Sequence, residues 1–206
     1  MTAPRIAVLD YGIGNLRSAQ KALQHVGGDA FLTGSHDDAL SADAVVLPGV
    51  GAFGACIDAL HAAGMGRTVH DAVDAGRPFL GICVGMQMLF GSSEEDPDHT
   101  GLGVIPGRVV WIPGDVTRPQ MQWNRMHAVT DDPMFRGLGP DPWMYFVHSL
   151  HAVPDDPSHV AATVRYGGEL NVAFRRGNVF ATQFHPEKSS TAGLALLANF
   201  VRAAAA

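Results

Sequence analysis

Short, unbroken apolar runs alternate with amphipathic stretches through the first ninety residues. Arg5-Ile-Ala-Val-Leu9 ends in Asp-Tyr-Gly and is too short and too sharply bounded for a helix. Asn15 stands where an N-cap would precede a helix carrying Leu16, Ala19, Leu23 and Val26 at helical spacing, stopped by Gly27-Gly28. Ala44-Val-Val-Leu47, closed by Pro48-Gly49, is a second buried strand. Ala52 to Ala63 then returns to helical spacing, with Phe53, Cys56, Ile57 and Leu60 on one face. Pro78 to Ile82 is a third strand, running directly into a helical pattern from Val84 to Phe90. Strands that do not alternate are covered on both faces, so strand–helix repetition predicts a mostly parallel sheet with helices on either side. After Gly103 the pattern changes to short β-rich runs: Val104-Ile105, Arg108 to Ile112, Trp143 to Val147, Val160 to Tyr166, Val172 to Phe174 and Val179 to Phe184. A last helix spans Thr191 to Ala204, and polar loops fall at 91–103, 113–120, 130–142 and 153–159. The expectation is one α/β domain over residues 1–206, with a mixed, β-rich second half.

Composition narrows the function classes. The 206 residues are 47% hydrophobic, as in an ordinary globular chain, but only 17% charged, below the roughly 25% usual for soluble domains. That scarcity of charge fits a surface partly covered by a partner. The net charge of −6, with no Lys/Arg run, argues against a nucleic-acid partner. The four consecutive apolar residues Ile6 to Leu9 are too few for a signal-peptide core, and no apolar stretch approaches a membrane span. Two cysteines, Cys56 and Cys83, form no disulfide framework, and no Asn-x-Ser/Thr acceptor occurs. A cytoplasmic location with reduced thiols is expected.

Several motifs compete for the chemistry. Gly49-Val-Gly-Ala-Phe-Gly54 has the letters of a dinucleotide-binding loop, whereas Gly12-Ile-Gly-Asn-Leu-Arg17 has Arg in place of the last glycine. The strand after Gly49–Gly54 ends at Cys83 without the acid that would hold a ribose, so these glycines read instead as letting backbone amides approach an anion. His185-Pro-Glu187 has the look of a zinc deaminase, but the Cys-x-x-Cys partner is missing and no other ligand stands at metal spacing; no metal or cofactor is expected.

Gly81-Ile-Cys-Val-Gly85, where a buried strand turns straight into a helix, has the form of a nucleophile elbow with cysteine as nucleophile. By itself the motif reads equally well as a core cysteine under a tight turn. His185 also closes an apolar run, and Glu187, two residues on in an extended segment, would reach the same side to orient its ring. Cys83, His185 and Glu187 together form a candidate nucleophile, base and orienting acid. A thioester route also needs backbone N–H groups for an oxyanion; Val84 could give one and the Gly49–Gly51 loop another. Gln87, one helical turn from Cys83, could touch a polar substrate.

These residues resemble the class I (triad) glutamine amidotransferases, through Gly81-Ile-Cys-Val-Gly-Met-Gln87 and Gln183-Phe-His-Pro-Glu-Lys-Ser189. Asp10-Tyr-Gly-Ile-Gly-Asn-Leu16, Pro48-Gly-Val-Gly-Ala-Phe53 and Tyr145-Phe-Val-His-Ser149 point to one branch, the glutaminase subunits of imidazole glycerol phosphate synthase. Anthranilate synthase glutaminases would carry His where Met86 stands. The resemblance implies glutamine hydrolysis through a γ-glutamyl thioester on Cys83, with His185 as base and then acid and Glu187 orienting it. It implies Val50 and Val84 amides in the oxyanion hole, a peptide flip at Gly49–Val50, and glutamine held by Gly49, Gly51, Gln87, Glu95, His148, Ser149 and Leu150. Because glutamine hydrolysed without an acceptor wastes ammonia, the Gly49–Val50 loop is expected to be switched by partner and acceptor. The implied partner is a (β/α)8 barrel cyclase, HisF, taking up ammonia to make imidazole glycerol phosphate and AICAR in histidine synthesis; Asn15 and Trp123 would lie at that interface. The chain departs from the family pattern at Gln120 and Gln122, where His and Gly are usual, and at Leu150, where an aromatic is usual. Three other readings remain on the residues alone: another triad glutaminase such as a pyridoxal phosphate synthase subunit, a cysteine hydrolase acting on peptides, and a non-enzymatic module with a reactive thiol.

Overall fold

The computed structural model describes residues 2–206; Met1, the first residue of the expected domain span, lies outside the described residues. The described residues form thirteen strands: β1 (Arg5–Leu9), β2 (Asp29–Thr33), β3 (Ala44–Gly49), β4 (Phe79–Cys83), β5 (Ser92–Ser93), β6 (Gly107–Trp111), β7 (Gln120–Arg125), β8 (His127–Ala128), β9 (Trp143–His148), β10 (Leu150–Pro154), β11 (Val160–Arg165), β12 (Glu169–Arg176) and β13 (Val179–Thr182). The helices are α1 (Leu16–His25), α2 (His36–Ser41), α3 (Phe53–Ala62), α4 (Met65–Asp74), α5 (Val84–Gln87) and α6 (Ser190–Ala204).

Eight strands form the main sheet in the order β2-β1-β3-β4-β13-β12-β11-β8. The first five run parallel. The remaining three extend the sheet antiparallel. Helices α1 and α6 pack on one another, while α2, α3 and α4 form a separate group. Right-handed crossovers that first step outward to β2 and then back to β3 put these two groups on opposite faces. Every residue of β3 and β4 is buried, which is why their sequences are continuous apolar runs without alternation. The core continues through edge-on ring pairs such as Phe90–Phe174, 5.1 Å apart, and Phe146–Phe184, 5.7 Å apart. Outside the main sheet lie a three-stranded sheet, β10-β6-β5, and a two-stranded ribbon, β7-β9.

Several sequence expectations need correction. Val104-Ile105 is buried but not a strand; the Ile105 N–H donates to the Leu89 carbonyl at 2.9 Å, so this apolar pair packs a loop under the elbow helix. The helix expected over 84–90 is only Val84–Gln87, because the chain turns at Met88 to bring loop 91–105 back across it. The run from Val179 leaves the sheet after Thr182, two residues before Phe184. Asn15 does occupy the N-cap position of α1, but its side chain makes no capping hydrogen bond. The hydrophobic pattern predicts none of β2, β7, β10, α2 or α4.

Candidate active site

The parallel order places three chain segments at one sheet edge. Gly49, the last residue of β3, pairs with Cys83, the last of β4, and on the other side Ile82 pairs with Thr182 of β13. Cys83 is therefore flanked by the Gly49–Gly51 loop and by the Gln183–His185 segment, at the carboxyl ends of the strands where α/β folds bind ligands.

The elbow is tight. Cys83 has φ 56° and ψ −116°, a conformation L-residues rarely adopt, and it is 4% exposed. Gly85 is obligatory here, since a Cβ would run into the Leu47 carbonyl of β3. Gly49 lies under the same contact, with a Cβ reaching to 2.5 Å from the Gly85 nitrogen.

His185 is positioned from several directions. Its N–H donates to Tyr145 of β9 at 3.1 Å, and its carbonyl accepts from the Ser189 hydroxyl at 2.6 Å, which in turn accepts from the Tyr145 N–H. Glu187 is not in an extended segment as expected. Pro186 starts a 3₁₀ turn over Pro186–Lys188, and that turn brings Glu187 Oε1 to 2.8 Å from His185 Nδ1. Both side chains are almost wholly buried. Burial pulls the imidazole pKa down, but contacts with Cys83 and Glu187 override it and push the pKa up to about 10. The ring therefore favours its protonated form beside the sulfur, with its Nδ1 tied to the carboxylate.

A cavity of about 320 Å³ opens over Cys83. Its wall includes the candidate residues Val50, Gly51, Val84, Gln87, Glu95, His148, Ser149, Leu150 and His185; Gly49 and Glu187 lie behind it. Besides the two histidines, two of these side chains are already engaged. Gln87 is buried and donates to Gln183 Oε1 at 3.0 Å, and Glu95 Oε2 accepts from the Phe53 N–H at the start of α3 at 2.8 Å. Beside it Asp96 accepts from the Gly54 N–H at 2.8 Å, so the acidic loop caps α3 as well as facing the cavity.

His148 is held neutral, its pKa lowered to about 4, first by burial and then by the nearby His151 and His185, against a raising hydrogen bond to Leu150. Its Nδ1–H donates to the Leu150 carbonyl at 2.7 Å, fixing the turn through Ser149. Its Nε2 faces the terminal amide of Gln120 at 2.9 Å; a neutral ring protonated at Nδ1 offers only a lone pair there, so the amide must present its NH2. The Gln120 departure thus reaches the cavity wall, whereas Gln122 is exposed on the outer ribbon and Leu150 is itself a wall residue.

Sequence reasoning missed Gln183, whose amide lies 3.8 Å from Cys83 Sγ, and the wall residues Pro119, Val147 and Lys188. Gln183 and Lys188 flank the His-Pro-Glu motif, so position alone could have found them. Asn15 is half-buried, and Trp123 is exposed on the β7–β9 ribbon, leaning on Tyr145 with ring centroids 5.8 Å apart. Among the described residues no three His, Cys, Asp or Glu side chains gather as for a metal ion, and no helix is long and apolar enough to cross a membrane.

The family model described as glutamine amidotransferase class-I matches residues 7–204. The chain belongs to the class-I glutamine amidotransferases. It is 49% identical to the imidazole glycerol phosphate synthase subunit HisH of Syntrophotalea carbinolica, over 95% of this chain and 98% of that protein. It is 48% identical to HisH of Deinococcus radiodurans, over 97% and 94% of the two chains. Among solved structures, a crystal structure of a glutamine amidotransferase superimposes with a TM-score of 0.77 at 23% identity, covering 98% and 99% of the two chains. PurLQS from Thermotoga maritima gives a TM-score of 0.76 at 20% identity over 97% and 98%. At that identity the likeness speaks for the fold; the HisH relatives place this amidotransferase in the HisH branch.

Proposed function

We propose that this class-I amidotransferase, a single domain, hydrolyses glutamine as the glutaminase subunit of imidazole glycerol phosphate synthase, with Cys83, His185 and Glu187 as its triad. The observation that carries the reading is the elbow cysteine beside the imidazole–carboxylate pair at one sheet edge, over a cavity of suitable size for an amino acid. Cys83 Sγ attacks the side-chain carbonyl carbon of glutamine, and the oxyanion that forms is met by the N–H groups of Val50 and Val84. The C–N bond breaks as His185 gives its proton to the departing nitrogen, releasing ammonia and leaving a γ-glutamyl thioester. Water, deprotonated by the now neutral His185, attacks the thioester; glutamate leaves and the thiolate–imidazolium pair is restored. Glu187 holds the ring through Nδ1 throughout. Gln87, Glu95 and the turn His148–Ser149–Leu150 hold the substrate, with Gly49 and Gly51 giving the loop its reach. No cofactor enters these steps.

Ammonia released in the cytoplasm would be lost by diffusion, so the reading includes a heterodimer with the (β/α)8 cyclase HisF, which consumes it to make imidazole glycerol phosphate and AICAR in histidine synthesis. The β7–β9 ribbon supports a docked face near the cavity: Trp123 is 44% exposed, and Met121 and Trp143 are more so. Asn15 lies at the same interface in this reading, and docking with acceptor bound switches the Gly49–Val50 loop. The test is glutamate release from glutamine with and without the cyclase and its acceptor, beside a Cys83→Ala control. Stimulation by the liganded partner, abolished in the control, is expected. Peptide turnover in place of glutamine turnover would overturn the reading.

A further inference from the structure

The Gly49–Val50 peptide lies between two carbonyls that are both held by side chains of the core. The Tyr11 hydroxyl donates to the Pro48 carbonyl at 2.7 Å, and the Cys56 thiol donates to the Val50 carbonyl at 3.2 Å. These are the carbonyls of the peptide units immediately before and after the one that carries the Val50 N–H. Tyr11, just after β1, and Cys56, on α3, are both buried. The site of a Cβ on Gly49 would lie 3.1 Å from the Tyr11 hydroxyl, so the ring sits directly under the loop. Neither residue touches the cavity, and the steps proposed above use neither.

We propose that Tyr11 and Cys56 are positioning residues for the oxyanion hole: they pin the flanking peptide units so that the Gly49–Val50 unit alone sets where the Val50 N–H points. A peptide unit fixed at both neighbours can still rotate between them, by opposed changes in Gly49 ψ and Val50 φ, without moving the rest of the loop. Gly49 supplies the freedom for that rotation. Burial raises the pKa of both the phenol and the thiol above their ordinary values, so both remain protonated donors at neutral pH.

The inference rests on the oxyanion role proposed for Val50, and its test separates the two. Tyr11→Phe removes one donor and Cys56→Ala the other, while Cys56→Ser keeps a donor in place. Two quantities are read on the full chain: kcat and KM for glutamine with the liganded cyclase, and amide hydrogen exchange at Val50 and Gly51 by NMR. Losing one neutral hydrogen bond predicts a fall in kcat of roughly three- to tenfold with KM held within about twofold, and exchange at Val50 and Gly51 faster by a similar factor. Exchange at Leu60 within α3 stays as in the parent, and Cys56→Ser recovers most of both losses. The proposal is overturned if Cys56→Ser behaves as Cys56→Ala, or if loop exchange is unaltered in Tyr11→Phe and Cys56→Ala. Faster loop exchange with unchanged kcat would keep the pinning but remove its catalytic part, overturning the oxyanion assignment of Val50. A parent chain that releases no glutamate sinks the proposed function, while the exchange data still decide whether the pins exist.

Discussion

Glu187→Gln removes a carboxylate charge 2.8 Å from His185 Nδ1 while keeping nearly the same shape. In the folded chain the imidazole pKa is pushed up to about 10, against burial, by Cys83 and Glu187. Unfolded, the ring titrates near ~6.5. Because the folded value lies above the unfolded one, the protonated ring stabilises the fold fully below pH ~6.5, and that contribution drains as the pH rises through about 10. Each pKa unit corresponds to ~1.4 kcal/mol, so a few kcal/mol are at stake across this window. The glutamine side chain can still accept from Nδ1–H but offers no charge, leaving Cys83 as the remaining raising partner. The parent should therefore exceed the variant by about 2 kcal/mol at pH 6, with the advantage shrinking steadily toward pH 10. Urea midpoints of both chains over that range, at constant m, read the difference and cancel other titrating groups. Glutaminase kcat should fall about a hundredfold or more in the same variant. A difference between the two stability curves that stays flat from pH 6 to 10 would refute the ion-pair argument.

Three further outcomes follow from the elbow and the core. Gly85→Ala should lower stability by about 2 kcal/mol or more and abolish activity, because the added methyl meets the Leu47 carbonyl; thermal unfolding and glutamate release check both. Cys83→Gly and Cys83→Ala should both be inactive, but Cys83→Gly should be the more stable by ~1 kcal/mol in denaturant titrations, since only glycine relieves the φ of 56°. Arg175→Met strands Asp132, whose side chain is 5% exposed and bound by the guanidinium at 2.7 and 2.8 Å. A loss of about 3 kcal/mol is expected, partly restored by adding Asp132→Asn.

The elements that carry the site could be read from the sequence because burial on both faces leaves a strong signal. β3 and β4 are unbroken apolar runs, and the glycines beside Cys83 answer a steric demand. What the hydrophobic pattern hides has equally physical causes. β7 buries only Gln120 and lies in a ribbon with most side chains in solvent, so its Gln-Met-Gln-Trp-Asn-Arg sequence shows no period. β2 is an edge strand, covered less completely than its neighbour β1, and α2 has only six residues to show a helical face. β10 follows β9 after Ser149 alone, so no turn signal parts them. At the site, residue type and spacing suggested His185 with Glu187, but not that a 3₁₀ turn begun by Pro186 would join them. Glu95, which the resemblance alone sets against the substrate, is equally hard to read: one oxygen caps α3, a contact formed between residues 42 positions apart.

The proposed nucleophile that meets the glutamine side chain is Cys83, and not the equally reduced Cys56. The most direct measurement is peptide-mapped mass spectrometry of the intact chain after treatment with diazo-oxo-norleucine, a glutamine-like electrophile, with excess glutamine as competitor. A single adduct on Cys83 is expected, suppressed by glutamine and absent from His185→Ala, with Cys56 unlabelled. An adduct on Cys56, or labelling of Cys83 that glutamine does not compete away, would contradict it.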